Sequence, residues 1–145
     1  MTPDSTRVRR ISVDPDNPDV PSLEEAAKVI GAEGLLGLPT ETFYALAANG
    51  LNQKTVNRIL DVKGRSEGKP VGLLLANMDM AEMVAARIPK IGMTLMERFW
   101  PGPLSLILDA KEGLPAGVLG EGDGVSVRVP GSGLAIEVTR LAGFL

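Results

Sequence analysis

Apolar residues in "SLEEAAKVIGAEG" recur at helical spacing, with Leu23, Ala26, Ala27 and Ile30 on one face. Ser22 and Glu25 stand at capping-box spacing, and Gly31 suits the helix exit. The same period returns in "NQKTVNRILDVKG", where Val56, Ile59 and Leu60 lie on one side, and in "DMAEMVAARI", "GMTLMERFW" and "GLAIEVTRLAG". Between these stretches run short apolar segments: "GLLGLP", "VGLLL", "LSLIL" and "VSVRV". They predict strands, as does "VRRISV" near the start. "DPDNPDVP" and "KEGLPAGVLGEGDG" carry the Asp, Asn, Pro and Gly of connecting turns.

Strands interleaved with helices predict a layered α/β or α+β fold around a mixed sheet. A chain of 145 residues can bury one hydrophobic core. Residues 1–7 read as a flexible N-terminus and residues 8–145 as a single domain. The last helix is followed at once by the apolar "LAGFL", where another strand would be natural. The expectation is a domain incomplete at its C-terminal end.

Composition narrows the chemistry more than the fold. The 44% hydrophobic and 23% charged content is ordinary for a globular chain, and a net charge of -3 provides no global field for nucleic acid or anionic membrane. There is no Cys and no His, which excludes thiol nucleophiles, disulfides, Cys or His zinc sites and imidazole bases. Catalysis would fall to Lys, Arg, carboxylates, hydroxyls, backbone amides or a metal ion brought by a substrate. No protein-bound metal is expected. No apolar stretch is long enough to span a bilayer, and "MTPDSTRVRR" lacks a signal-peptide core, so a cytoplasmic protein without membrane contacts is the expectation.

Four stretches could hold a ligand. In "LDVKGRSEGKP", Lys63 falls in the last turn of a helix, where a cation complements the dipole, and Gly64 takes the exit. A basic cap with a solvated loop accounts for this by itself. The alternative is a polyphosphate site, with Arg65 as a fork and Lys63 and Lys69 as point charges. In "LPTETFYALAANG", Thr40, Glu41 and Thr42 follow a buried strand, where open α/β sheets place ligand contacts, and Tyr44 offers an aromatic wall. The competing account makes Thr40 the cap of a short helix "ETFYALA", with Glu41 favouring its dipole. In "FWPGPLSLIL", Trp100 reads as a core anchor, and Pro101 and Pro103 fix an extended approach to a strand that brings Ser105 near a pocket. In "VSVRVP", Arg128 shares a sheet face with Ser126 and Pro130, opposite Val125, Val127 and Val129. It is either a solvated arginine or a carboxylate ligand.

In this order and spacing, "GLPTETFYALAANGLN", "ILDVKGRSEGKPVGLLL", "FWPGPLSLIL" and "VSVRVP" resemble the YrdC-like family of threonylcarbamoyl-AMP synthases, from about Val8 to the end of the chain. The resemblance implies a twisted mixed sheet flanked by helices, with a concave, positively lined pocket. It implies synthesis of threonylcarbamoyl-adenylate and pyrophosphate from L-threonine, bicarbonate and ATP, with Mg2+ carried on the phosphates. The product serves threonylcarbamoyladenosine formation in tRNA, so tRNA and tRNA-modification proteins become partners. By the same resemblance Lys63 and Arg65 are the catalytic pair at the ATP phosphates, Lys69 a further ATP contact, and Thr40 and Arg128 the threonine ligands. The chain departs from the family pattern at Gly124, where relatives usually carry Thr, and in "PGSG" after Arg128, and it stops before the family's S-x-N segment. Two other readings accompany the synthase: a paralogue handling another carbamoyl-adenylate, and a non-catalytic module binding double-stranded RNA or nucleotide.

Overall fold

The computed structural model describes residues 8–64 and 69–145. Its elements are, in order, α1 (Val20–Gly31), β1 (Leu36–Pro39), β2 (Tyr44–Ala47), α2 (Gln53–Lys63), β3 (Leu73–Leu74), α3 (Asp79–Val84), α4 (Lys90–Phe99), β4 (Leu106–Asp109), β5 (Gly124–Arg128) and α5 (Gly133–Ala142). Two single 3-10 turns, Ala116–Val118 and Glu121–Asp123, lie in the Gly-rich connection before β5. The mixed α/β architecture expected from the sequence is present.

Three local expectations are corrected. Helix α1 is capped by Asp19, whose carboxylate accepts from the Ser22 amide at 2.9 Å and from its hydroxyl at 2.8 Å. These bonds hold the Asp19 carboxyl below its ordinary value. Pro21 explains the earlier start, because proline is suited to a first turn whose N–H groups have no helical partner. "VRRISV" makes no strand: Ile11 and Val13 instead line a small gap beside Leu23, Ala26 and Leu38. "ETFYALA" is not helical, since its second half is β2.

β1 and β2 form an antiparallel hairpin with Leu38 opposite Ala45 and Pro39 opposite Tyr44. The second sheet has the order β3-β5-β4, with β3 parallel and β4 antiparallel to β5. The segment after α5 lies between these sheets. Gly50 N–H donates to Phe144 O at 2.9 Å, and Leu74 N–H donates to Leu145 O at 2.6 Å. Phe144 and Leu145 are both buried there.

Alternation along β5 decides which face is dry. Val125 and Val127, with Val129 just beyond, pack against Leu73, Leu75, Leu108, Val56 and Met96 in the larger core. A second cluster joins Leu23, Ala26 and Ile30 of α1 to Leu134, Ala135 and Val138 of α5, under Leu38 and Ala47 of the hairpin. Ser126 and Arg128 are left on the opposite face of β5. Leu75 has no exposed surface, so Leu75→Ala should lower unfolding free energy by about 3 kcal/mol in urea titrations.

Candidate functional site

Helix α2 delivers one cation to the exposed side. The Asn52 side chain caps its first turn, accepting from Lys54 N–H at 2.9 Å. At the other end Gly64 adopts φ 61, and its N–H returns to the Asp61 carbonyl at 3.1 Å. Lys63 therefore sits in the last turn as expected. It also lines a cleft of about 460 Å³. The cap and the pocket position are compatible.

The hairpin supplies the cleft's rim. Thr40 Oγ1 donates to Phe43 O at 2.6 Å and accepts from Phe43 N–H at 3.2 Å and Thr42 N–H at 3.3 Å. One hydroxyl thus closes the turn between β1 and β2, in place of the helix cap considered from sequence. Thr40, Thr42 and Tyr44 all line the cleft.

β5 supplies its far wall. Arg128 Nε donates to Gly102 O at 2.8 Å, Nη1 approaches Thr42 Oγ1 at 3.4 Å, and Nη2 pairs with the Glu41 carboxylate. Burial draws the Arg128 guanidinium below its ordinary pKa, which still leaves it a cation. The Trp100-Pro101 peptide is cis, and Gly102 N–H bonds Val129 O at 2.9 Å, which holds the proline segment against the end of β5. Trp100 is buried, and its indole N–H donates to Leu104 O at 2.7 Å. Ser105 and Ser126 also face the cleft.

Thr40, Lys63 and Arg128 are therefore brought to one cleft from three separate segments. Lys69 is exposed and is not among the lining residues. Arg65 lies outside the described residues. Among the described residues, charge on the cleft wall comes from Lys63 and Arg128, the latter offset by Glu41.

The pattern of the Sua5–YciO–YrdC family, described as telomere recombination, matches residues 28–145. The chain belongs to this family. It is 38% identical over 117 residues to the threonylcarbamoyl-AMP synthase of Pyrococcus abyssi, which covers 81% of this chain and 34% of that protein. It is 35% identical over 124 residues to the Bacillus subtilis protein of the same name, covering 85% of this chain and 36% of the relative. The chain thus spans about a third of the length of these two relatives. The crystal structure of P. abyssi Sua5 complexed with L-threonine superposes with a TM-score of 0.83 at 36% identity, over 87% of this chain and 37% of that one. The structure of E. coli YciO shares the fold at 22% identity and a TM-score of 0.81, over 90% of this chain and 64% of that one.

Gly124, and Gly131 in "PGSG", two positions expected from the sequence to differ from the family pattern, both have crowded surroundings. A Cβ at Gly124 would come within 2.7 Å of Ile107 Cγ2, so Ile107 occupies the space a larger residue would need. A Cβ at Gly131 would come within 2.6 Å of Glu41 Oε2. Sequence reasoning gave Glu41 a place among the ligand contacts after β1 or a dipole role, not a pairing with Arg128, and gave Gly102 no role. The available signal was Arg128 itself: a cation on a strand whose other face is valine needs an acceptor and a counter-charge.

The turn yields a direct test. Thr40→Val removes the hydroxyl's bonds to Thr42 and Phe43 and should cost about 1–2 kcal/mol in urea unfolding, with faster exchange of the Phe43 amide, whereas Thr40→Ser should stay close to wild type.

Proposed function

We propose that this chain forms threonylcarbamoyl-adenylate from L-threonine, bicarbonate and ATP. The observation that carries the reading is the single cleft lined by Thr40, Lys63 and Arg128, in a chain whose relatives bear the name threonylcarbamoyl-AMP synthase. The Arg128 guanidinium suits the threonine carboxylate, and the Thr40–Thr42 turn offers hydroxyls beside it. Lys63 enters from the α2 end, where a triphosphate would lie, with Arg65 and Lys69, which follow it in sequence, as further ligands. Magnesium arrives on the ATP phosphates as part of the substrate.

The chemistry needs no imidazole. The threonine amine adds to bicarbonate with loss of water, giving a carbamate. A carbamate oxygen then attacks the α-phosphorus, the bond to the β-phosphate oxygen breaks, and pyrophosphate leaves. Orientation and neutralisation of charge on the phosphates dominate such a step. Lys63 and Arg65 supply that neutralisation in this reading. The cytoplasm is the compartment it implies, with tRNA and its modifying proteins consuming the adenylate.

The test is pyrophosphate release from ATP and bicarbonate, with and without L-threonine. Release should require threonine and fall by about a hundredfold in Lys63→Ala and Arg65→Ala, with circular dichroism unchanged. Full activity in a folded Arg65→Ala variant would refute the phosphate assignment. Release indifferent to threonine would refute the substrate.

A further inference from the structure

Arg128 is held from behind, and the residues that hold it are separable from those that face the cleft. Its Nη2 has no surface open to solvent and meets Glu41, while Nε is taken by the Gly102 carbonyl at 2.8 Å. Nη1 is the nitrogen turned towards Thr42, a cleft residue, at 3.4 Å. Glu41 is not among the lining residues. Side-chain exposures of 15% for Arg128 and 27% for Glu41 put the pair largely out of water, where an ion pair fixes geometry rather than exchanging with solvent. The position of Glu41 depends in turn on Gly131, because a methyl there would come within 2.6 Å of Oε2 and 3.0 Å of Cδ.

We infer that Glu41 is a positioning residue for carboxylate recognition: seated in the space left by Gly131, it fixes Arg128 so that Nη1, with the Thr42 hydroxyl, meets the amino-acid carboxylate. This rests on the proposed threonine site and specifies how that site is built. An arginine whose Nε and Nη2 are already occupied cannot offer its side-on fork to a ligand. The substrate carboxylate is met through Nη1 and a hydroxyl, and the tilt of the guanidinium sets the alignment. Glu41 acts through Arg128 and touches no reacting atom.

The pair Glu41 and Gly131 gives a test that loss of folding does not confound. Binding of L-threonine and of ATP to the full chain is measured by calorimetry for wild type, Glu41→Ala, Gly131→Ala and the double variant. Melting temperatures are recorded alongside. Gly131 has no positive φ, so alanine suits its backbone and acts by displacing the Glu41 carboxylate. Each single variant should weaken threonine binding by about tenfold and leave ATP binding within about twofold. Adding Gly131→Ala to Glu41→Ala should cost nothing more, because the displaced group is gone. Equal loss of threonine and ATP affinity would assign Glu41 a structural role and overturn the inference. So would wild-type threonine affinity in folded Glu41→Ala, or in folded Gly131→Ala if the glutamate variant fails to fold. Wild-type protein that binds no threonine would overturn the substrate assignment and this inference with it.

Discussion

A guanidinium placed on a strand whose other face is sealed by valine has to find its acceptors nearby. Taking such a charge out of water costs several kcal/mol unless it is paired and hydrogen-bonded. Arg128 meets that demand with acceptors from two regions: the hairpin turn through Glu41 and Thr42, and the proline segment through Gly102. Each of those regions is locally constrained in its own way. The hairpin turn is tied by Thr40, and Gly102 is pinned by its bond to Val129. A Cβ at Gly102 would come within 2.4 Å of the Phe99 carbonyl, so the tight turn out of α4 requires glycine there.

The cleft is consequently a meeting of loops on a rigid frame. β5 lies between β3 and β4, and its valines are buried among α2, α3 and α4 residues of the larger core. The polar side chains between those valines inherit that rigidity. α2 contributes differently, by ending where it does: Gly64 in the left-handed conformation turns the chain away just after Lys63, which leaves the lysine at the cleft and complements the carbonyl end of the helix.

Membership of the Sua5–YciO–YrdC family gives these features a common setting, and packing accounts for glycine at positions 124 and 131. At Gly124 the missing side chain is offset by Ile107, itself 76% exposed on the same face of the sheet as Ser126, its register partner. At Gly131 the missing Cβ makes room for a carboxylate. Glycine at the two positions does different work. One makes room for the Ile107 side chain, and the other seats an ion pair.

The helices and the β5 strand were legible in the sequence because their periods are local: Val56, Ile59 and Leu60 mark a helix face, and alternation from Val125 to Val129 marks a strand with one dry side. The four short motifs likewise pointed to the family, and the absence of His and Cys excluded thiol and imidazole chemistry without coordinates. Where the sequence misled, a longer-range term decided. "ETFYALA" has no strong preference until β1 offers a partner edge, and "VRRISV" has strand-like alternation but sets Ile11 and Val13 beside Leu23, Ala26 and Leu38 without joining a sheet. Pro21 moved the α1 cap to Asp19 against a well-spaced Ser22 and Glu25. The pairing of Glu41 with Arg128 spans 87 positions, and no periodicity carries information over that distance; only packing the hairpin against the end of β5 brings those charges together.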